Sequence, residues 1–454
     1  MPLLKLVRGE KMNVEELLQC VKGELLNTMK NNFIQNLNLD TRTLKKGEAF
    51  IALVTEKADG HDYIKEAIRK KASCIIVQKR ISLKTHIPII LVENTYEALF
   101  TIASYYKNKY NPLTIAVTGS SGKTTTKELL YLILSKKYKV LKTEKNHNNH
   151  LGVPLTLTHL NADYDIALLE MGMNHRGEIQ KLSKLVKPNI GIITCIGTSH
   201  IGNLKSKKNI FKAKMEITEG MEDSVLLVNG DDAYLKKIKS KKTYEVVKCG
   251  YHSTYHLIPY YIKETLHSLS FVLYYHDKQY HFTLPVTGRH FLPDIMLAIE
   301  VGLLLGIDME QIKEALSSYK PLDKRMNIIH KKEYTLIDDC YNANLESFKG
   351  VLHVMRLLPQ KKILVIGDML ELGKYSTKYH HLLGKEIKKI KAEENIFVGK
   401  ETQKIKIKKS HHFKTNQEVI AYLNTISKKG TLILIKGSRG MHLEEIRKAL
   451  EIEI

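Results

Sequence analysis

The chain has 454 residues, of which 43% are hydrophobic and 26% are charged, a composition typical of a soluble globular protein with about three domains. Its net charge of +23 comes mainly from lysines scattered along the whole length without interleaved aromatic residues, which indicates a solvated lysine-rich surface and not a nucleic-acid interface. There is no membrane span of about 18 apolar residues, no signal-peptide core at residues 1–10 and no closely spaced cysteine pair, so we expect a cytoplasmic monomer with reduced thiols and no membrane insertion.

Residues 1–95 are predicted to form a small α/β domain, because strand-like apolar runs alternate with helical stretches. Asp40, Thr41 and Arg42 precede a turn and an apolar strand at residues 46–53. An exposed acid and arginine beside a loop can bind a diphosphate or a sugar, although such a pair is more often a surface salt bridge. These residues alone leave both interpretations open.

The strongest motif begins at the end of a short strand, residues 114–117. That strand runs into a loop of small residues, and a helix follows. The loop and the first helical residues are Gly119, Ser120, Ser121, Gly122, Lys123, Thr124 and Thr125. Small residues let successive backbone N–H groups surround a phosphate, the lysine can reach the outer phosphates, and the Thr124 hydroxyl can ligate Mg²⁺. The order of strand, loop and helix favours a nucleotide site over a plain glycine-serine turn.

Residues 96–320 are predicted to form a central domain with a mostly parallel sheet. Two of its apolar strands lead to a polar side chain at the carboxyl end, Glu170 and His200, and ligands of open α/β sheets bind at that edge. Glu170 is suited to hold the Mg²⁺ that Thr124 also contacts, unless it is an ordinary strand-end glutamate. His200 could form a second metal position with Lys214. A cationic lysine repels Mg²⁺, so the residues alone favour a surface position for Lys214.

Residues 245–285 interrupt this pattern with short runs rich in Tyr and His, for which we predict antiparallel strands. From residue 321 to 454 apolar runs and helices alternate again, which predicts a third, Rossmann-like α/β domain. Arg325 lies at the junction between the central and third domains. An arginine that moves with a mobile domain can neutralise a γ-phosphate during its transfer.

Polar clusters in three other segments are further candidates for ligand binding. Amides at residues 146–149 could bind a peptide-like ligand, although single asparagines more often cap helices or form turns. Asp339 and Asn342 follow one apolar run of the third domain, and Lys436 and Arg439 follow another. A surface turn explains each of these two segments equally well.

Taken together and in this order, these blocks resemble the ATP-dependent Mur ligases of peptidoglycan synthesis over nearly the whole chain. The segments that carry the resemblance are residues 118–124, 146–154, 170–172, 177–179, 197–200, 214–216, 338–344, 367–373 and 436–439. The phosphate loop of this family lacks the first glycine of the standard motif, where this chain has Val117. The last three segments indicate the branch that adds D-alanyl-D-alanine, and they fit poorly with other Mur ligases or with folylpolyglutamate synthetase.

The resemblance implies an ATP-dependent ligase that converts a substrate carboxylate to an acyl phosphate and then joins it to an amine. It implies that residues 119–125 hold the phosphates, with Lys123 on the transferring group. Thr124 and Glu170 would hold one Mg²⁺, and His200 with a carbamylated Lys214 would hold a second. The remaining nucleotide contacts that the resemblance implies are His290 and Asp294 at the base, Asp339 near the ribose and Arg325 at the γ-phosphate.

The same resemblance implies a UDP-muramoyl peptide and D-alanyl-D-alanine as small-molecule substrates. Asp40, Thr41 and Arg42 would hold the uridine diphosphate end, and the third domain would close over the site and supply part of the dipeptide pocket. The other residues implied in substrate binding are Asn146, Asn148, Asn149, Asn342, Lys436 and Arg439.

Five positions differ from the family pattern, and they keep two alternatives open. Phe291 and Asp294 stand where the family usually has asparagines, Cys195 and Ser199 replace Asn and Ala, and Leu345 replaces Pro. A paralogous ligase that joins another acid and amine could differ in this way. A protein that only binds ATP is a second alternative, but it would need no second metal position, and the residues of that position are present.

Overall fold

The computed structural model describes residues 12–27, 30, 32–56, 58–144, 146–252, 254–321 and 323–452. The N-terminal segment in which we expect no signal peptide lies outside these ranges. The helices are α1 Val14–Val21, α2 Ile64–Arg69, α3 Thr95–Tyr110, α4 Lys123–Leu134, α5 Gly152–Leu157, α6 Glu178–Val186, α7 Ile201–Leu204, α8 Lys207–Met215, α9 Leu292–Leu304, α10 Met309–Ser317, α11 Leu345–Leu357, α12 Ser376–Lys388, α13 Asn416–Leu423 and α14 Glu444–Ile452.

A small five-stranded sheet forms first along the chain. Its strands are β1 Glu24–Leu25, β2 Leu37–Asn38, β3 Ala49–Ile51, β4 Ile75–Val77 and β5 Ile89–Leu91. They lie in the order β1-β5-β4-β3-β2, parallel except for β1. The short apolar runs predicted as strands in this region are buried in β3, β4 and β5. This part is therefore an α/β unit, as predicted.

The central sheet has six parallel strands. They are β6 Leu113–Thr118, β7 Val140–Lys142, β8 Ile166–Glu170, β9 Ile190–Ile193, β10 Ser224–Asn229 and β11 Tyr244–Cys249. The order β11-β10-β9-β6-β8-β7 puts β6 between β8 and β9. The carboxyl ends of these three neighbours therefore meet at one edge of the sheet. That edge carries the phosphate loop, Glu170 and the segment that leads to His200.

A three-stranded antiparallel sheet follows, formed by β12 Tyr260–Glu264, β13 Leu269–Tyr275 and β14 Lys278–Leu284. The antiparallel prediction for residues 245–285 is confirmed for these strands. It is wrong at its start, because β11 pairs with β10 in parallel and belongs to the central sheet. The parallel pairing of β11 was missed because this edge strand contains charged and tyrosine residues and is buried only at its two ends.

The last sheet contains β15 Asn327–His330, β16 Tyr334–Asp339, β17 Lys361–Gly367, β18 Glu394–Val398, β19 Ser410–Phe413 and β20 Thr431–Lys436. Its order is β15-β16-β20-β17-β18-β19, and only β15 runs antiparallel to its neighbour. Helices alternate with the parallel strands, which confirms the predicted Rossmann-like α/β architecture.

The α11 helix joins the last sheet to the central one. Its apolar side chains, including Phe348, Leu352 and Met355, belong to the same hydrophobic cluster as the strands of the central sheet. The opposite face of the last sheet has a separate cluster, built around Val365, Ile433 and Ile435. Burial of α11 between the two sheets therefore holds the third domain against the central one.

Two further expectations concern the whole chain. None of the helices in the described ranges combines the length and apolar character needed to cross a membrane. The five cysteines are all free thiols in the structure.

Candidate active site

The phosphate loop connects the buried strand β6 to the first turn of α4. Gly122 is the N-cap of α4 and has φ +83°, a left-handed conformation that favours glycine. A Cβ at this position would collide with the carboxylate of Asp294 on α9. The Lys123 ammonium donates to the Gly119 carbonyl over 3.0 Å, and partial withdrawal from water lowers its pKa. This bond ties the Lys123 side chain to the loop that it is predicted to serve.

The end of β9 braces this loop. The Ser120 N–H donates to the Cys195 carbonyl over 3.0 Å, and the Thr194 hydroxyl donates to the Ser121 carbonyl. The first bond uses the backbone carbonyl of residue 195, which does not depend on its side chain, and the Cys195 thiol also donates to the Ser121 carbonyl over 3.6 Å. Burial raises the pKa of the Cys195 thiol to about 11. It is therefore a neutral side chain beneath the loop.

Glu170 lies at the centre of the candidate metal position. It ends β8 and is 1% exposed, and its Oε1 accepts from the Thr124 hydroxyl at 3.3 Å and from Asn148 Nδ2 at 2.8 Å. Its Oε2 is buried without a hydrogen-bond partner, and the nearest cation, Lys127 Nζ, is 4.0 Å away. An unsatisfied carboxylate oxygen beside a hydroxyl is a donor set that suits Mg²⁺.

Lys214 is buried, which corrects the surface position that the residues alone favoured. It lies on α8 with 1% exposure, because the apolar stems of α8 pack towards the central sheet. Burial lowers its pKa well below the usual value, and the positive charge of Lys123 adds to the effect. Within the described chain its amine makes no hydrogen bond or ion pair, including with His200. The structure brings Lys214 to the phosphate loop, but not into contact with His200.

His200 lies where the central and third domains meet. It has φ +61°, which is uncommon for a residue other than glycine. Its Nδ1 is 2.9 Å from Glu371 Oε2, an ion-pair contact and not an aligned hydrogen bond. The contact with His200 lowers the pKa of Glu371. The Gly202 N–H donates to the Glu371 carbonyl over 3.0 Å, so the third domain contacts both sides of this turn.

Arg325 reaches the phosphate loop from the third domain. Its Nη2 donates to the Thr124 hydroxyl over 3.1 Å, and its guanidinium stacks 4.1 Å from the centre of the Tyr341 ring. The guanidinium of Arg439 lies 5.3 Å from the same ring. The Tyr341 ring thus lies against two arginines, of which Arg325 reaches the loop. The sequence interpretation missed Tyr341 although it lies within the segment 338–344.

Three predicted ligand residues of the third domain bind one another. Lys436 is 1% exposed, and its ammonium donates to Asp339 Oδ2 over 2.6 Å and to the Asn342 carbonyl over 3.2 Å. Asp339 Oδ1 also accepts from the Met326 N–H at 3.3 Å. Lys436 is therefore a buried support for the loop, and its ammonium is not exposed to a ligand as a clamp would be. Asp339 and Asn342 are held at the edge of the sheet next to Tyr341.

The amides at residues 146–149 have three different environments. Asn148 bonds Glu170, as described above. Asn149 Oδ1 accepts from the N–H groups of Leu151 and Gly152 at 3.0 and 2.9 Å, which is a turn role just before α5. Asn146 is exposed. The structure therefore brings one of the three to the metal position.

Asp40, Thr41 and Arg42 are not joined to the phosphate loop by any bond in the described ranges. Asp40 and Arg42 form an exposed ion pair of 2.7 Å, and the hydrogen bond from Arg42 lowers the pKa of Asp40. Thr41 is buried, and its carbonyl accepts from Lys70 Nζ at 2.6 Å. In this structure Asp40 and Arg42 form a surface salt bridge.

The residues predicted near the adenine base, His290 and Asp294, lie just before and within the first turn of α9. Asp294 is 9% exposed, and burial raises its pKa to about 7. His290 precedes α9, with its ring 4.5 Å from that of Phe291. A Cβ on Gly350 of α11 would meet the His290 ring at 2.9 Å. Thr125 is buried in the first turn of α4. Asp294 therefore packs against the phosphate loop at Gly122, and His290 packs against α11 at Gly350.

Sequence reasoning missed three further residues at the site. Lys127 is buried 4.0 Å from Glu170. Glu346 and Glu371 make contacts between the domains, with residues 198–207 and with His200 respectively. Glu371 lies inside the segment 367–373 and Lys127 inside the loop-helix motif, so position in a motif was an available signal. Nothing in the sequence marked Glu346, because its partners lie more than 130 residues away.

Comparison with known proteins gives concordant matches over nearly the whole chain. Three family descriptions match in order: "Mur ligase family, catalytic domain" at residues 33–114, "Mur ligase middle domain" at residues 117–302 and "Mur ligase, glutamate ligase domain" at residues 324–439. A UDP-N-acetylmuramoyl-tripeptide–D-alanyl-D-alanine ligase of Bacillus subtilis is 34% identical, over 97% of this chain and 98% of the relative.

Solved structures agree. MurF from Acinetobacter baumannii superposes with a TM-score of 0.90 at 30% identity, covering 98% of this chain and 99% of that one. MurF ligase from Thermotoga maritima in complex with ADP gives 0.82 at 28% identity, covering 92% and 97% of the two chains.

Proposed function

This chain belongs to the Mur ligase family, and we propose that it adds D-alanyl-D-alanine to a UDP-N-acetylmuramoyl tripeptide with ATP, in peptidoglycan precursor synthesis. The relatives that support this carry that activity in their names and cover nearly the full chain. The observation that carries the proposal is the meeting of Lys123, Thr124, Glu170 and Arg325 at one loop. This set would hold a γ-phosphate next to a carboxylate acceptor.

The first chemical step transfers the γ-phosphoryl group of ATP. An oxygen of the tripeptide's terminal carboxylate attacks the γ-phosphorus, the bond to the β-phosphate oxygen breaks, and ADP leaves with that electron pair. The backbone N–H groups of residues 119–125 and the Lys123 ammonium bind the phosphate oxygens. Arg325 lies 3.1 Å from Thr124 and neutralises charge on the transferring group. This part of the chemistry consists of positioning and charge stabilisation.

Mg²⁺ fits the residues at the loop, where Thr124 and Glu170 would hold a first ion. When bound, it draws negative charge from the phosphate oxygens and makes the γ-phosphorus more electrophilic. His200 and a carbamylated Lys214 would hold a second ion. The buried Glu170 Oε2 without a hydrogen-bond partner supports the first position.

Carbamylation of Lys214 requires an uncharged amine, and the burial of this side chain supports that state. Its pKa is lowered by desolvation and by Lys123, so a neutral nitrogen can attack CO₂ and lose a proton, which leaves an anionic carbamate. An anion here would be attracted by the ammonium of Lys123. The modified side chain would then be a metal ligand, whereas the unmodified cation would repel the metal.

The second chemical step forms the amide bond. The neutral amine of D-alanyl-D-alanine attacks the acyl carbon, and phosphate leaves from the tetrahedral intermediate with the electrons of its C–O bond. The nitrogen releases one proton, which the departing phosphate can accept. We assign the dipeptide to the loops of the third domain that carry Asn342, Lys436 and Arg439. We assign the peptide and uridine diphosphate parts of the donor to the side of the cleft with Asn146, Asn148 and Asn149 and to Asp40–Arg42.

Other parts of the proposal concern base binding, domain limits and location. Asp294 and His290 would border the adenine and Asp339 the ribose. We place the domain boundaries near residue 95, after the first sheet ends with β5, and near residue 320, before the last sheet begins with β15. We also place the enzyme in the cytoplasm, as a monomer.

A substrate panel tests the proposed function. Purified protein is incubated with Mg²⁺-ATP and with combinations of UDP-muramoyl peptides and amines, and ADP and ligated product are measured. We expect product only when a tripeptide donor and D-alanyl-D-alanine are both present. ADP release only with other acid and amine pairs would replace this assignment by that of a paralogous ligase. Binding of ATP without turnover in any mixture would favour the non-catalytic alternative.

A further inference from the structure

The N-terminal end of α11 makes the closest polar contact between the third domain and the central domain's metal-binding edge. Glu346, in the first turn of this helix, accepts from the Thr198 N–H at 2.9 Å and from the Thr198 hydroxyl at 2.7 Å. It also accepts from Lys207 Nζ at 2.9 Å. Burial alone would raise the pKa of this carboxyl, but the bonds from Thr198 and Lys207 outweigh burial and lower it. Three donors of the central domain thus converge on one carboxylate.

A second side chain of the same helix end reaches the phosphate loop itself. Asn344, the N-cap of α11, donates from Nδ2 to the Ser199 hydroxyl over 2.8 Å and to the Ser120 carbonyl over 3.4 Å. The Ser199 hydroxyl donates to the same Ser120 carbonyl over 2.8 Å. Ser199 and the following Leu345 are positions at which this chain differs from the family pattern. The contact therefore includes the hydroxyl of Ser199, where the family pattern has Ala.

The backbone that these side chains bind leads directly to His200. Thr198 and Ser199 are the two residues before it, and a Cβ on Gly197 would lie 2.8 Å from Glu346 Oε2. His200 itself holds φ +61°, a conformation that costs a non-glycine residue about 1 kcal/mol or more. Contacts with other parts of the chain must compensate for that cost. The N-terminal end of α11 makes the contacts to Thr198 and Ser199.

We propose that Glu346 is a positioning residue for the ligation reaction: it couples docking of the third domain to the placement of His200 and the phosphate loop. The role of His200 in this inference rests on the proposed function. The coupling between the third domain and the central domain is a property of the fold. Glu346 does not touch the reacting atoms. It acts through Thr198 to hold the strained turn at His200. Asn344, at the same end of α11, binds Ser120 of the phosphate loop.

Glu346→Ala tests this inference in the full-length enzyme. Because His200 would be held less well, we expect kcat to fall by about tenfold or more while KM for ATP changes less than about threefold. Glu346→Gln keeps an oxygen that can accept from Thr198 and should recover part of kcat. Glu314→Ala removes a helical glutamate that is paired with Lys136 at 2.9 Å within the central domain, and it should behave as wild type.

A structural measurement separates positioning from stability. Small-angle X-ray scattering with Mg²⁺ and a non-hydrolysable ATP analogue should give a larger radius of gyration for Glu346→Ala than for wild type, at an unchanged melting temperature. Thr198→Val removes only the hydroxyl donor and should shift both kcat and compactness in the same direction, even if Glu346→Ala folds poorly.

An unchanged kcat and radius of gyration in both variants would overturn the inference. A loss of melting temperature with kcat unchanged for the folded fraction would also overturn it, since Glu346 would then be structural only. Failure of the wild-type enzyme to ligate the proposed substrates would refute the proposed function. The scattering comparison needs only Mg²⁺ and the ATP analogue, so it would still decide whether Glu346 couples domain docking to the site.

Discussion

At the scale of single residues, Asp294 is a carboxyl where most relatives of this family are expected to have an amide. It is buried against Gly122, and burial raises its pKa to about 7, compared with 3.8 in water. The folded protein therefore keeps this proton between pH 4 and 7, while the unfolded chain releases it. Stability is lost as the pH rises through this range, and the penalty is complete above pH 7.

Asp294→Asn should remove this penalty. The variant should equal wild type in stability near pH 4 and exceed it above pH 7, by at most about 4 kcal/mol because one pKa unit corresponds to ~1.4 kcal/mol. Urea unfolding at pH 5 and pH 8 measures the difference. A stability gain that is the same at both pH values would show that the Asp294 carboxyl does not change its protonation over this range.

Lys214 is the residue whose environment differs most from its usual one. The Lys214 amine is buried, makes no hydrogen bond or ion pair within the described chain, and has its pKa lowered by desolvation and by Lys123, a state that supports the proposed carbamylation. Lys214→Ala should lose at least about 100-fold in kcat, as expected when a transition-state charge is no longer stabilised, and short carboxylates such as acetate should restore part of it. A carbamate signal in ¹³C NMR after exchange with ¹³CO₂ should be present in wild type and missing in the variant. Full activity of Lys214→Ala would exclude the carbamate.

At the scale of elements, Lys127 ties α4 to its neighbours in the central sheet. It is 1% exposed, donates to the Thr143 carbonyl over 2.6 Å, and lies 3.0 Å from Glu128 and 4.0 Å from Glu170. Lys127→Met keeps the volume but leaves two carboxylates without this cation, so we expect a loss of about 3 kcal/mol in unfolding free energy.

Lys142→Met is the matched control for this prediction. Lys142 pairs with the same Glu128, but its side chain is 17% exposed and it does not reach Glu170. Its loss should cost about 1 kcal/mol or less. Denaturant unfolding of the two variants gives the comparison, and similar losses would mean that pairing with Glu128, and not the buried position of Lys127, holds α4.

The element order could be predicted from sequence because buried parallel strands have continuous apolar runs. Strands β8, β9, β17 and β20 are such runs, and the polar residues that follow them mark the ligand edge. The pattern failed at β11, an edge strand with a mixed surface. Packing of one strand against another decides its sheet, and that information is not local.

The candidate site was predictable where one motif supplies both backbone and side chain, as in the phosphate loop and Glu170. The site was not predictable where burial gives a side chain a role that its residue type does not suggest. Lys214 and Lys436 have the character of surface lysines in sequence, but both are 1% exposed. Glu346 was missed for a related reason, since its role depends on contacts between domains.

At the scale of the whole molecule, α11 is the element on which the third domain docks. Its first turn binds residues 198–207, its middle packs at Gly350 against His290, and near its end His353 lies 3.5 Å from Glu264 of β12. The helix thus contacts the edge of the central sheet with the proposed metal position, the residues proposed to border the base, and the small antiparallel sheet. Movement of the third domain must change all three together.

Arg325 gives a test of what this docking does for catalysis. Arg325 and Arg439 both stack on Tyr341, but only Arg325 contacts the central domain, through Thr124. Arg325→Ala should therefore lower kcat by about 100-fold or more, because a charge that stabilises the transferring phosphoryl group is lost. Arg439→Ala should leave kcat within about threefold and raise KM for D-alanyl-D-alanine instead.

Initial-rate kinetics with each substrate varied in turn, together with melting curves, separate these outcomes. The two variants lose the same kind of contact with Tyr341, so any effect of the stacking on the fold is common to both. A difference in kcat then reports on the bond across the domain boundary. If both variants lost kcat equally, the orientation of Tyr341 would control the reaction, and the charge that Arg325 brings to the phosphate loop would not.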